Sequence, residues 1–327
     1  MAGRELTFVE ALNEGLRGEM RRDSSVIVMG ESISGGMYGV TKDLIKEFGG
    51  ERVRDTPISE SSFIGAGVGA ALLGFRPVVE LMYVDFFGVA MDQIYNQAAK
   101  TRYMFGGRVK VPLTLRAAFG AGLHSAATHS QTLYSLFAHV PGLKVVVPST
   151  PHDAKGLLIA AIRDDDPKVF MEHKLLYRVK GPVPEEQYAV PLGEAAVRRS
   201  GKDVTVVALA VMVQKSLEAA AKLADEGIDV EVIDPRTIVP FDRKCLLASI
   251  KKTGRLVVVD EDYERCGFSA EMAAIAASDG FEYLKAPVRR VAMPNVPIPY
   301  SPKLEAHVLP GVEKIAHAVR EVVGKKR

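Results

Sequence analysis

Apolar residues along the chain follow two spacings in turn. Phe8, Leu12, Leu16 and Met20 recur every four residues and predict one face of an opening helix. Short apolar runs at 26–29, 53–58, 77–82, 112–116, 145–147 and 169–172 predict strands, with helical stretches between most of them. The rhythm returns more cleanly in the second half, with strands at 205–208, 230–233, 256–259 and 288–292. Between them Leu217, Ala221 and Ala224 line a helix that stops at Gly227, and Leu246, Leu247 and Ile250 line one that stops at Gly254. Glycine enters the left-handed conformation cheaply, which makes it the expected helix stop. Further helices are expected around 269–277 and 312–323. Such alternation implies parallel sheets with helices on both faces. The segment GPVPEEQYAVPLG carries three prolines and breaks the pattern. It predicts a linker at 181–193 between two α/β domains, 1–180 and 194–327.

A chain of 327 residues has room for two domains at about 150 residues each. Lys+Arg total 42 against 40 Asp+Glu, so the net charge of +2 offers no footprint for nucleic acid. The one basic cluster, Lys325, Lys326 and Arg327, reads as a solvated tail. Cys245 and Cys266 are too few and too far apart for a disulfide framework or a CxxC site, which favours a reducing compartment. The opening residues lack the unbroken apolar region of a leader, and no run of 18 apolar residues exists. The expected setting is the cytoplasm, without membrane attachment.

Four places could carry chemistry. Glu60 follows a strand expected to end at Ser59 and stands at the start of a glycine-rich helix, where parallel α/β folds place ligands. It could equally serve only the positive end of that helix. The same stretch, from Gly65 to Ala70, matches the GxGxxG/A dinucleotide fingerprint, which would make the chain a nicotinamide-dependent oxidoreductase. ESSF intervenes between the strand and the glycines, however, so they fall inside the helix and suit close packing. His129 lies within residues 117–143, a stretch of 27 residues with no Asp, Glu, Lys or Arg, and could exchange protons with a reacting carbonyl. A hydrogen-bonded loop histidine is the simpler reading. Glu31 opens the glycine-rich ESISGGMYGV as a ligand contact or a turn residue. Finally, IRDDDP sets three acids at a helix end, where the dipole disfavours them unless a cation is present. A solvated acidic turn is the competing reading.

PISESSFIGAGVGAAL, MDQIYNQAAKTRYMFGG, HSQTLYSLFAHVPGLKVVVPSTPHDAKGLL, IRDDDP, EVIDPRT and GRLVVVDE occur in an order that resembles one family. It is the beta subunit of the thiamine-diphosphate-dependent first component of 2-oxo acid dehydrogenase complexes, with pyruvate, branched-chain 2-oxo acid and acetoin dehydrogenases as members. The run 95–167 most resembles the acetoin enzymes. The resemblance implies a transketolase-like pyrimidine-binding domain followed by a transketolase C-terminal-like domain. It further implies that Glu60 faces the aminopyrimidine ring of the cofactor and helps to activate its thiazolium for attack on a carbonyl. Burial would keep such a carboxyl protonatable. His129 would act in substrate binding and acyl transfer to a lipoyl group, Phe86 would pack on the pyrimidine, and Glu31 would lie near the cofactor. Leu113, Ala161, Ile162, Asp164 and Asp166 match a structural potassium site, with Asp166 where the family commonly has Asn.

The family's GDG…N motif, which holds the diphosphate through Mg²⁺, does not occur in this sequence. An alpha subunit carrying it is therefore implied, in an assembly of two alpha and two beta chains docked to a lipoyl acyltransferase core. The expected reaction is cleavage of acetoin, pyruvate or a branched-chain 2-oxo acid next to its carbonyl. A non-catalytic scaffold subunit is the remaining alternative.

Overall fold

The computed structural model describes residues 4–324, so the basic run 325–327 lies outside the described residues. The chain divides into two compact units. One comprises the residues up to Phe119 and Leu136–Leu192; the other comprises Gly120–Ser135 and the residues from Gly193 onward. Among the described residues, no helix is long and apolar enough to cross a membrane.

The first unit opens with β1 (Glu5–Thr7) and α1 (Phe8–Arg22). Thr7 and Glu10 form a reciprocal capping box that satisfies two otherwise orphaned amides of α1. Then come β2 (Val26–Gly30), α2 (Leu44–Phe48), β3 (Val53–Asp55), α3 (Glu60–Leu72) and β4 (Arg76–Tyr83). A 3-10 turn over Val84–Ala90 and a π-helical turn over Gln93–Ala98 lead into α4 (Ala99–Met104) and β5 (Thr114–Phe119). After α5 (Tyr134–Ala138) come β6 (Lys144–Val146), α6 (Pro151–Arg163), β7 (Lys168–His173) and β8 (Lys180–Pro182).

Six of these strands lie parallel in the order β6-β7-β5-β4-β2-β3. Every residue of β2, β5 and β7 is buried, as a sheet covered on both faces requires. At its centre Arg116 of β5 donates to Glu80 of β4 at 2.6 Å and to both carboxylate oxygens of Glu172 of β7 at 2.6 and 2.8 Å. β3 ends at Asp55 rather than continuing to Ser59: Thr56 N–H still reaches Gly30 O at 3.0 Å, and then Pro57 has no N–H to donate.

The proline-rich segment after β7 is fastened to the first unit. β8 pairs antiparallel with β1, Tyr188 Oη donates to His152 O at 2.8 Å, and Val190 N–H donates to Gly156 O at 3.0 Å. The buried Lys155 ammonium donates to the carbonyls of Pro184, Glu185 and Glu186.

The second unit contains β9 (Ala196–Arg199), β10 (Val204–Ala208), α7 (Val211–Ala224), β11 (Val230–Asp234), β12 (Thr237–Val239) and α8 (Arg243–Thr253). β13 (Leu256–Tyr263), α9 (Phe268–Asp279), β14 (Arg289–Met293), α10 (Pro302–Val308) and α11 (Val312–Gly324) complete it. Its sheet runs β14-β13-β10-β11-β9, parallel except for β9. α8 stops at Gly254, a left-handed cap, as its sequence predicts.

Candidate active site

In the first unit, two carboxylates come from the ends of neighbouring elements. β2 closes at Gly30, whose φ of +153° and whose approach to Glu80 O leave no room for a side chain: a Cβ there would lie 2.6 Å from that oxygen. The next residue, Glu31, is buried, and so is Glu60, the first residue of α3. Ser59, at the N-cap, gives the helix no side-chain hydrogen bond. Its hydroxyl instead donates to Ser62 Oγ at 2.8 Å. Glu60 therefore stands at a positive helix end that receives no side-chain cap from the residue before it. Burial, and then the negative charge of Glu60, push the Glu31 carboxyl above the ordinary carboxylate range. Glu31 can keep a proton that an isolated surface glutamate would lose.

The loop after Glu31 is held in place. Ser34 donates to Asp55 from both its N–H (2.8 Å) and its hydroxyl, and Thr41 Oγ1 donates to Ile33 O at 2.8 Å. Phe86, in the 3-10 turn, is half-buried and meets Tyr83 edge-on, with ring centroids 5.7 Å apart. Its neighbour Phe87 turns into the core against Phe137 and Tyr95. Phe86 is therefore the less buried member of this pair.

The glycines from Gly65 to Gly69 lie within α3, and no strand-to-helix turn precedes them. A Cβ at Gly67 would come within 2.6 Å of Val79 and 3.2 Å of Leu113, so this glycine serves close helix–sheet packing. The dinucleotide fingerprint is not formed.

In the second unit, residues 120–135 carry His129. Its Nδ1 lies 3.0 Å from Thr128 Oγ1, and its N–H donates to Ala126 O at 3.4 Å. The hydroxyls of Ser130 and Thr132 are buried with no hydrogen-bond partner among the described residues. Carboxylates that sequence reading missed fasten this uncharged loop. Glu261 accepts Ala121 N–H at 2.7 Å, and Glu305 accepts Gly122 N–H at 3.0 Å and meets His124 Nδ1 at 2.6 Å. Asp260 accepts the hydroxyl of Tyr134, and also Ser269 N–H at 2.8 Å. Beside it, burial and then the Asp260 charge push the Asp262 carboxyl up to about 7. The one available signal was VVVDEDY, an apolar strand ending in three consecutive acids, all of them buried here.

The third cluster surrounds the end of α6. Arg76 Nη1 donates to the carbonyls of Ile162, Arg163 and Asp164 at 3.0, 3.1 and 3.2 Å. Lys168 Nζ donates to Asp164 O at 2.7 Å, and its N–H to Leu113 O at 2.9 Å. Lys144 bridges Asp164 and Asp166 at 2.6 and 3.0 Å, and Arg102 pairs with Asp166. Burial pulls the Lys168 ammonium down to about 7 against the Asp164 charge, which acts to raise it. Among the described residues, no three His, Cys, Asp or Glu side chains converge as a metal group.

These features define a two-part transketolase-type chain. Residues 4–180 match the family model "Transketolase, pyrimidine binding domain", and residues 193–315 match "Transketolase, C-terminal domain". The chain is similar in fold to the solved "Split gene transketolase, inactive beta4 tetramer", with a TM-score of 0.82 and 24% identity over 98% of this chain and 100% of that one. It is 51% identical to the acetoin:2,6-dichlorophenolindophenol oxidoreductase subunit beta of Cupriavidus necator and 47% identical to that of Bacillus subtilis, each over 98% of both chains. The chain belongs to the family of beta subunits of acetoin, branched-chain 2-oxo acid and pyruvate dehydrogenases.

Proposed function

We propose that the chain is the beta subunit of a thiamine-diphosphate-dependent dehydrogenase acting on acetoin or a 2-oxo acid in the cytoplasm. It would be active together with an alpha subunit, in an assembly of two alpha and two beta chains, and would pass the acyl group to a lipoyl acyltransferase core. The observation that carries this reading is the buried pair Glu31 and Glu60 at the strand end and helix start of the first unit. The alternative of a nicotinamide-dependent oxidoreductase loses its support because Gly65, Gly67 and Gly69 lie inside α3 rather than in a strand-to-helix turn.

The residues present fit the pyrimidine half of the cofactor. A buried carboxyl that retains a proton, as at Glu31, can hydrogen-bond a ring nitrogen, and the half-buried Phe86 would pack on the ring. When bound, thiamine diphosphate supplies the electron sink for cleavage of the bond next to the carbonyl. Glu60 would hold and return a proton at its carboxyl, and Glu31 would keep that proton within the pair. His129 would orient the substrate and move a proton during acyl transfer, its ring fixed through Nδ1 by Thr128. The diphosphate and its Mg²⁺ would be held mainly by the alpha subunit, since this sequence has no GDG…N motif.

Acetoin leads as substrate because both quoted relatives are named for it. Pyruvate and then branched-chain 2-oxo acids follow. The test is to co-express the chain with its alpha subunit and assay all three with a dye acceptor. Turnover highest with acetoin is expected, and turnover with none of them would refute the reading.

A further inference from the structure

The α6 end poses an electrostatic problem that the chain solves from its own side chains. The last carbonyls of a helix need donors, and the negative end of its dipole repels acids. Yet Asp164, Asp165 and Asp166 follow directly after Arg163. A bound monovalent cation is one remedy, and the family resemblance implies potassium at Leu113, Ala161, Ile162, Asp164 and Asp166.

Four of those five residues are already engaged. Arg76 takes the carbonyls of Ile162 and Asp164, Lys168 N–H takes that of Leu113, and the Asp164 and Asp166 carboxylates meet Lys144. Five cationic side chains, Arg76, Arg102, Lys110, Lys144 and Lys168, reach the three carboxylates. Adding an ion would therefore increase an existing positive excess. A potassium ion does not fit this arrangement.

Lys168 stands out among the five. Its side chain is 0% exposed, with Nζ 2.7 Å from Asp164 O and 3.7 Å from Asp164 Oδ1. Removing an ammonium from water is costly unless it neutralises or hydrogen-bonds something in place. Ammonium and potassium also carry the same charge and are close in size. We infer that the Lys168 ammonium is the resident cation of this cluster, tethered to β7 in place of a bound potassium ion. The α6–β7 corner is then independent of potassium.

The test uses the full-length chain in potassium or choline chloride of equal concentration and pH. Wild type is expected to have the same melting temperature in both salts and to retain no rubidium-86 in equilibrium dialysis. Lys168→Ala removes the tethered charge and opens its space. This variant should melt lower in choline chloride, regain stability in potassium chloride, and retain about one rubidium ion per chain. Rubidium retention by wild type would overturn the inference. So would a folded variant that neither binds rubidium nor responds to potassium. If Lys168→Ala is insoluble, Lys168→Gln takes its place; if neither folds, the wild-type dialysis decides, retention overturning the inference and none upholding it. None of these readings depends on catalysis, so they stand apart from the proposed activity.

Discussion

Glu305 holds two groups of one loop at once, with Oε1 accepting Gly122 N–H at 3.0 Å and Oε2 lying 2.6 Å from His124 Nδ1. The carboxylate is 1% exposed and comes from 181 residues further along the chain. Hydrogen bonds to a charged group contribute about 1.5–3 kcal/mol, which corresponds to roughly ten- to a hundredfold in local opening. Glu305→Ala should speed hydrogen exchange at the Gly122 amide by that factor. Unchanged protection over 121–124 would mean that the loop is held by other contacts.

Loop geometry matters because of His129. Loss of a general acid–base group typically costs roughly 10²- to 10⁴-fold. In the reconstituted enzyme, His129→Ala should slow acylation of a lipoyl domain by at least the lower figure and slow dye reduction much less. Comparing the two acceptors checks the role. Equal losses with both would place the histidine in substrate binding alone.

Asp262 makes the second unit sensitive to pH. Its carboxyl sits beside Asp260 and Glu261 on β13 and faces Tyr134 and Ser135, and its pKa rises from 3.8 to about 7. A group whose folded pKa is raised keeps its proton longer in the folded state, so stability falls as pH rises from about 4 to 7. Above 7 the full cost is present. At about 1.4 kcal/mol per pKa unit, that cost reaches at most about 4 kcal/mol. Asp262→Asn should therefore gain stability relative to wild type across this interval, read by denaturant melts at pH 4 and pH 8. A constant difference would count against the pair.

Arg116 makes the opposite case in the first unit. It joins Glu80 and Glu172, all three buried in the sheet. Removing one member of a buried ion pair costs about 3–5 kcal/mol because the partner charge is left uncompensated. Arg116→Met should lose that much in urea melts, and adding Glu172→Gln should restore part of it. A loss below 1 kcal/mol, or no rescue, would show that the network is not stabilising.

The alternation of apolar runs made the two α/β units legible, because buried parallel strands such as β2 (VIVMG) and β10 (VTVVA) read as short valine-rich runs. Glu60 was legible too, as a carboxylate just ahead of a glycine-rich helix. Its strand was expected to run to Ser59, but Pro57 ends the ladder early. The irregular turns over Val84–Ala98 carried no period to recognise. The clasp on the uncharged loop was hidden for another reason: Glu261 and Glu305 are 140 and 181 residues from their partners. At α6 the need for a cation was evident in IRDDDP, whereas Arg76, Lys144 and Lys168 converge there only in the fold.

The proposed function rests on Glu60 taking part in catalysis. Glu60→Gln keeps the size of the side chain while removing its charge and its exchangeable carboxyl proton. Assayed in the assembled alpha–beta enzyme with acetoin and a dye acceptor, this variant should lose at least roughly 10²-fold in turnover, with assembly and melting temperature close to wild type. Turnover equal to wild type in an intact assembly would contradict the account and leave the chain a scaffold.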